Sequence, residues 1–151
     1  MKKYIFYIFA LISLASCVQH INIKDSNVLY DQYMKFTSLL SKRDYMPAID
    51  MLSQRNLNDL SSHSNKKHFS QYFPVISTIN NVLAIEQGSF SKLDNAKGCL
   101  TVFGLDSSNE PTSINIEYIN EVGAWKLDYA QVMYHGSKTE LPQDAKCPAR
   151  M

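Results

Sequence analysis

Apolar and polar positions divide the chain into three stretches. Residues 4–14 form an almost unbroken apolar run behind Lys2 and Lys3. From Leu29 to Ile79 apolar residues recur at helical spacing, and from Leu83 to Tyr134 they alternate at strand spacing. A change of period from about 3.6 to 2 marks a passage from helices to strands.

Leu29, Tyr33, Phe36 and Leu40 make one face of a first helix, with Ser26 or Asn27 as its cap and Asp31, Lys35, Ser38 and Lys42 opposite. Asp44 interrupts the pattern and can cap a shorter helix carrying Tyr45, Ala48, Ile49 and Leu52 and ending near Gln54. Pro47 fits its first turn, where the backbone has no donor to lose. Leu57 and Leu60 predict one more turn before a polar loop over 61–67. Phe69, Tyr72, Phe73, Ile76 and Ile79 return to helical spacing, kinked or divided at Pro74.

The strand region begins with residues 83–93, where Gly88 suggests a bulge. Residues 96–105 place Cys99, Thr101, Phe103 and Leu105 on one face and Leu100 and Val102 on the other. A turn-rich loop over 106–111 follows. Ile114, Ile116 and Tyr118 then alternate against Asn115 and Glu117. Across a turn at 120–123, Trp125, Leu127 and Tyr129 alternate against Lys126 and Asp128, with a phase shift near Ala130 and the strand running to Tyr134. On this phase Trp125 is a core residue whose loss costs about 3–5 kcal/mol. Glu117 and Lys126 face outward and tolerate alanine. The stretch after Gly136 carries few apolar groups, which points to binding or tethering more than to folding.

Helices followed by an antiparallel sheet of about four strands make an α+β domain. The two-helix start with Asp44-Tyr45 between the helices resembles the cone-shaped nuclear transport factor two-like superfamily. So does the closing hairpin Ile114-Asn115-Ile116-Glu117-Tyr118 and Ala124-Trp125-Lys126-Leu127-Asp128-Tyr129. The resemblance implies N-terminal helices packed on a curved sheet that encloses a pocket. Some members catalyse reactions with Asp, His or Tyr in that pocket; many only bind. Asp50, Tyr118, Asp128, Tyr129 and His135 are the residues to inspect here, and none matches a specific enzyme motif.

The charged, apolar start ends in Leu14-Ala15-Ser16-Cys17. Its apolar run is too short to span a bilayer, which takes about 20 residues. The four residues resemble the lipobox of bacterial lipoproteins. That resemblance implies cleavage before Cys17 and acylation of its thiol and new amino end. Val18 in place of Asp resembles the pattern for export to the outer membrane, facing the periplasm, with the inner membrane and the cell surface as the alternatives. Domain organisation follows: signal peptide 1–16, lipidated Cys17 with a polar tether to 26, and one domain over 27–151 with a C-terminal tail. A flexible tether of that length reaches about 15–18 Å.

Composition narrows the functions. The whole chain has 15 basic and 14 acidic residues, and two of the basic ones, Lys2 and Lys3, lie in the leader. With Lys66-Lys67 as the densest basic run, nucleic acid is not an expected partner. With Cys17 taken by lipid, Cys99 and Cys147 form an even pair in an oxidising compartment, which predicts a disulfide. A metal pair or a reactive thiol is the alternative, but no His or Cys sits at zinc spacing. His63 and His68 lie five apart without a His-Glu-x-x-His pattern, and neither a Gly-x-Ser-x-Gly elbow nor a phosphate loop occurs. No metal, cofactor or catalytic residue is assigned.

Two functions stay open. The first is a non-enzymatic module that docks an envelope or secreted protein through contacts such as Tyr134 and His135, or holds a small ligand. An immunity lipoprotein guarding against a delivered toxin and an envelope-assembly lipoprotein are its specific versions. The second is a small pocket enzyme of the ketosteroid-isomerase-like kind, for which a buried carboxylate must face an open cavity.

Overall fold

A computed structural model describes residues 28–62 and 69–150, with the backbone alone at Ser62. The leader, Cys17, the tether, the Ser26/Asn27 cap and the histidines at 20, 63 and 68 lie outside the described residues.

The first helix, α1 (Val28–Ser41), buries Leu29, Tyr33, Phe36 and Leu40 and exposes Asp31, Lys35 and Ser38, as its spacing predicts. It ends where Arg43 turns left-handed at φ 58, with the Arg43 amide donating to Leu40 and the Asp44 amide to Leu39. These two bonds satisfy carbonyls that the last turn leaves unpaired. Helix α2 (Tyr45–Ile49) follows. Asp44 precedes it but makes no side-chain cap bond, so its expected capping role is not filled.

The predicted single turn around Leu57 and Leu60 is a full helix, α3 (Gln54–Ser62). Its start is capped from a distance: the Gln54 amide donates to the Glu121 carboxylate at 2.9 Å. Pro74 divides the next run into α4 (Phe69–Tyr72) and α5 (Pro74–Thr78), with Pro74 in the first turn of α5 and Phe73 between the two. There the proline has no helical hydrogen bond to break.

Strands β1 (Ile85–Asp94), β2 (Lys97–Leu105), β3 (Pro111–Glu121) and β4 (Ala124–Tyr134) form one antiparallel sheet in chain order. The sheet is open, without pairing between β1 and β4. Two bulges re-aim it. The register shifts between Glu86 and Gly88, so Phe103 opposite Gly88 lies where a larger residue would clash: a Cβ there would sit 2.8 Å from its ring. A second shift leaves Asp128 unpaired between Leu127, opposite Tyr118, and Tyr129, opposite Glu117.

The phase shift expected near Ala130 falls two residues earlier, at Asp128. Leu127 faces the helices with Tyr118, Ile116, Ile114, Leu100 and Val102, all nearly fully buried. Tyr129 turns to the other face. Trp125 is only half-buried at the rim of the core, so it is not the main aromatic of the interior; Phe36 and Tyr118 are, at 1% exposure each. Where α1 crosses β2, Gly98 admits Leu29, whose Cδ1 would stand 2.6 Å from any added Cβ.

The far face of the sheet is covered as well, which the sequence did not predict. Residues 112–118 of β3 are all buried. The tail after Gly136 lies across this face, with Leu141, Pro142 and Pro148 buried. It is therefore part of the fold, contrary to the expectation from its few apolar groups. The edge of β4 is covered in turn by residues 51–53, through a parallel bridge of Leu52 to Leu127.

Candidate functional site: a charged strap across the sheet

Strand alternation places Cys99, Thr101, Asn115, Glu117, Tyr129 and Gln131 on the face away from the helices. Several of these are polar and buried, so each needs a partner. The tail supplies most of them. Cys147 is joined to Cys99 by a disulfide, with alpha carbons 5.0 Å apart. The Lys146 amide donates to Thr101 Oγ1 at 2.8 Å, and the Ala149 amide to Gln131 Oε1 at 3.2 Å. Thr101 in turn donates to Asn115 Oδ1 at 2.8 Å.

The strap ends in an ionic latch. Arg150 bridges Glu117 and Asp128, and its guanidinium lies 5.4 Å from the centre of the Tyr129 ring. Lys97 Nζ holds the other oxygen of Glu117 at 2.9 Å. Arg55 Nη2 reaches Asp128 at 3.1 Å, and Ser53 Oγ donates to it at 2.5 Å. Glu117 and Asp128 are 2% and 5% exposed. Removing a buried ion's partner typically costs about 3–5 kcal/mol, but Lys97 and Arg150 are half-exposed and can return to water. Glu117→Ala should therefore cost about 1–3 kcal/mol in thermal melting, where strand phase alone predicts tolerance.

A buried carboxylate does line a groove: Asp128, with Arg55, Asn56, Tyr72, Val75 and Ala130, borders about 330 Å³ of space beside α5. Its oxygens are engaged by two guanidinium groups and a hydroxyl, which makes it an anchor for the strap. Arg55 and Asn56 also donate to the Asp128 carbonyl, at 3.1 and 2.9 Å.

The other inspected residues are dispersed. Asp50 is exposed, and its carbonyl accepts from Lys126 Nζ at 2.6 Å. Tyr134 is 70% exposed at one end of β4. His135, next to it on the opposite face, is half-buried, with Nε2 2.9 Å from the buried Ser113 hydroxyl. The two neighbours therefore present to opposite faces at the end of the sheet. Among the described residues no carboxylate is bonded to the His135 ring, so Ser113 and His135 are a pair without an orienting acid.

Tyr118 is buried in the core with no hydrogen-bond partner for its hydroxyl among the described residues. Burial, then the charge of Tyr33, pushes its ionisation upward, and burial likewise raises Tyr33. Tyr30 donates to Glu86 at 2.5 Å; that bond first, then burial and the Glu86 charge, pushes it up to about 12 from 10.0. A phenol with a raised ionisation in the fold stabilises fully below pH 10 and loses that contribution as pH rises to about 12. The melting temperature should accordingly fall from pH 10 upward, and Tyr30→Phe should flatten part of that slope.

The sequence singled out Asp128, Tyr129 and both cysteines, but missed Glu117, Arg150, Arg55 and Ser53. Their signal was weak: isolated charges far apart in the chain, brought together by a bulge and a strap. Among the described residues no three His, Cys, Asp or Glu side chains are grouped to hold a metal, and no helix is long and apolar enough to cross a membrane. Compared with protein families, curated proteins and solved structures, the chain matches none.

Proposed function

We propose that this protein is a lipid-anchored binding module of the bacterial envelope, held at Cys17 in the outer membrane and facing the periplasm. It docks an envelope or secreted protein, with immunity to a delivered toxin and envelope assembly as the two forms of that role. The engagement of both buried carboxylates by the strap carries this reading over an enzymatic one. A pocket enzyme needs its carboxylate open to substrate, whereas Asp128 is closed by Arg55, Arg150 and Ser53. The Cys99–Cys147 bridge supports an oxidising address. A helical layer followed by a four-stranded meander supports the resemblance to the nuclear transport factor two-like cone.

Stable anchoring follows from several acyl chains, since each buried methylene contributes about 0.8 kcal/mol. Cys17→Ala should convert the membrane-bound protein into an unprocessed or soluble one. Fractionation with acyl-chain labelling checks this. Equal membrane partitioning of the variant, with no label on the native chain, removes the anchor.

A further inference from the structure

The anchor raises the question of which end of the domain meets the bilayer. Val28, the first described residue after the tether, lines one groove with Gly123, Ala124 and Trp125. The chain thus enters the domain beside the turn that joins β3 to β4. Eleven residue steps separate Cys17 from Val28, at most about 40 Å of extended chain. Strands β3 and β4 have 11 residues each, about 36 Å, so Tyr134 stands a full strand length beyond this end.

The turn itself is unusual. Val122 and Gly123 both have positive φ, 52 and 83. Such two-residue turns favour Asn-Gly, and a β-branched residue there is strained. Val122 is also entirely exposed, at 107% of its reference area. An apolar side chain held out at a strained position points to a surface that receives it. Trp125, the one tryptophan of the chain, is half-exposed close by, and its amphipathic ring suits a membrane interface. Nearby charges are mixed, Lys35 and Lys126 against Asp50, Asp94 and Glu121, the last of these engaged by the Gln54 amide, so no basic field selects anionic lipid.

We propose that this end of the sheet faces the bilayer and that Val122 enters its headgroup layer, with Trp125 at the boundary. The inference rests on the lipid anchor at Cys17. It turns Tyr134 and Ile85, exposed at the other end of the sheet, outward to a partner.

Trp125 reports on this directly. The full lipidated protein is placed in phosphatidylcholine vesicles, with and without bromine on the acyl chains near the headgroup, and in matching vesicles containing phosphatidylglycerol. Flotation is scored on the same samples. The expected result is flotation, loss of Trp125 emission in brominated vesicles of both kinds, and a smaller loss for Val122→Asp. Flotation without quenching overturns the inference and leaves the anchor standing. Quenching unchanged by Val122→Asp overturns the insertion of Val122. Failure to float removes the anchor and the inference with it.

Discussion

Replacing both Cys99 and Cys147 by serine should destabilise the domain by about 4 kcal/mol, lowering its melting temperature by roughly 10–20 °C. The two residues are 48 apart in sequence, so the bridge closes a long loop that contains β3 and β4. Its loss frees the unfolded chain and also loosens the strap. Lys146, Ala149 and Arg150 sit within three residues of Cys147, so their bonds to Thr101, Gln131, Glu117 and Asp128 depend on the same tether. Chemical denaturation of the oxidised chain against the double serine variant checks the value. An equal midpoint would mean that the strap is held without the bridge.

Phe36→Ala is expected to cost as much, about 3–5 kcal/mol. Phe36 is 1% exposed at the centre of the buried face of α1. Removing its ring leaves a cavity between α1 and the rest of the core. Trp125→Ala should cost less, because Trp125 is half-buried and its surroundings can close over the gap. Thermal melting of the two variants side by side tests the order. If Trp125→Ala melts lower, the core is centred on the hairpin and not under α1.

The helix α1 was legible because its apolar residues repeat without interruption and one layer explains its pattern. The closing hairpin was legible as strands for the same reason. Its phase was legible only as a shift near Ala130, whereas the inserted residue is Asp128, two positions earlier, which turns Tyr129 away from Leu127. A period-2 reading carries a side chain to the wrong face after any such insertion.

Glu117 illustrates a different limit. It lies on the polar phase of β3, and a polar phase alone predicts solvent. That expectation fails when a second layer covers the sheet, and here the layer is a tail with few apolar residues. The tail holds through a disulfide, backbone amides and one guanidinium, none of which registers as hydrophobic periodicity. Helix α3 was underestimated for a related reason: part of its support is the Glu121 carboxylate at its first turn, 67 residues away in sequence.

The site was legible only as single residues. Asp128 and Tyr129 were marked by a family resemblance, and Cys99 and Cys147 by an even count in an oxidising setting. Nothing in the spacing of Ser53, Arg55, Glu117 and Arg150 relates them, since their meeting depends on the register of β3 with β4 and on the path of the strap.

The most direct measurement is the intact mass of the chain recovered from membranes of an exporting bacterial host and alkylated without reduction. The expected result is loss of residues 1–16, acyl mass on Cys17 and no alkylation at Cys99 or Cys147. A chain that keeps residues 1–16 and takes up alkylating groups on its cysteines would contradict both the anchor and the strap.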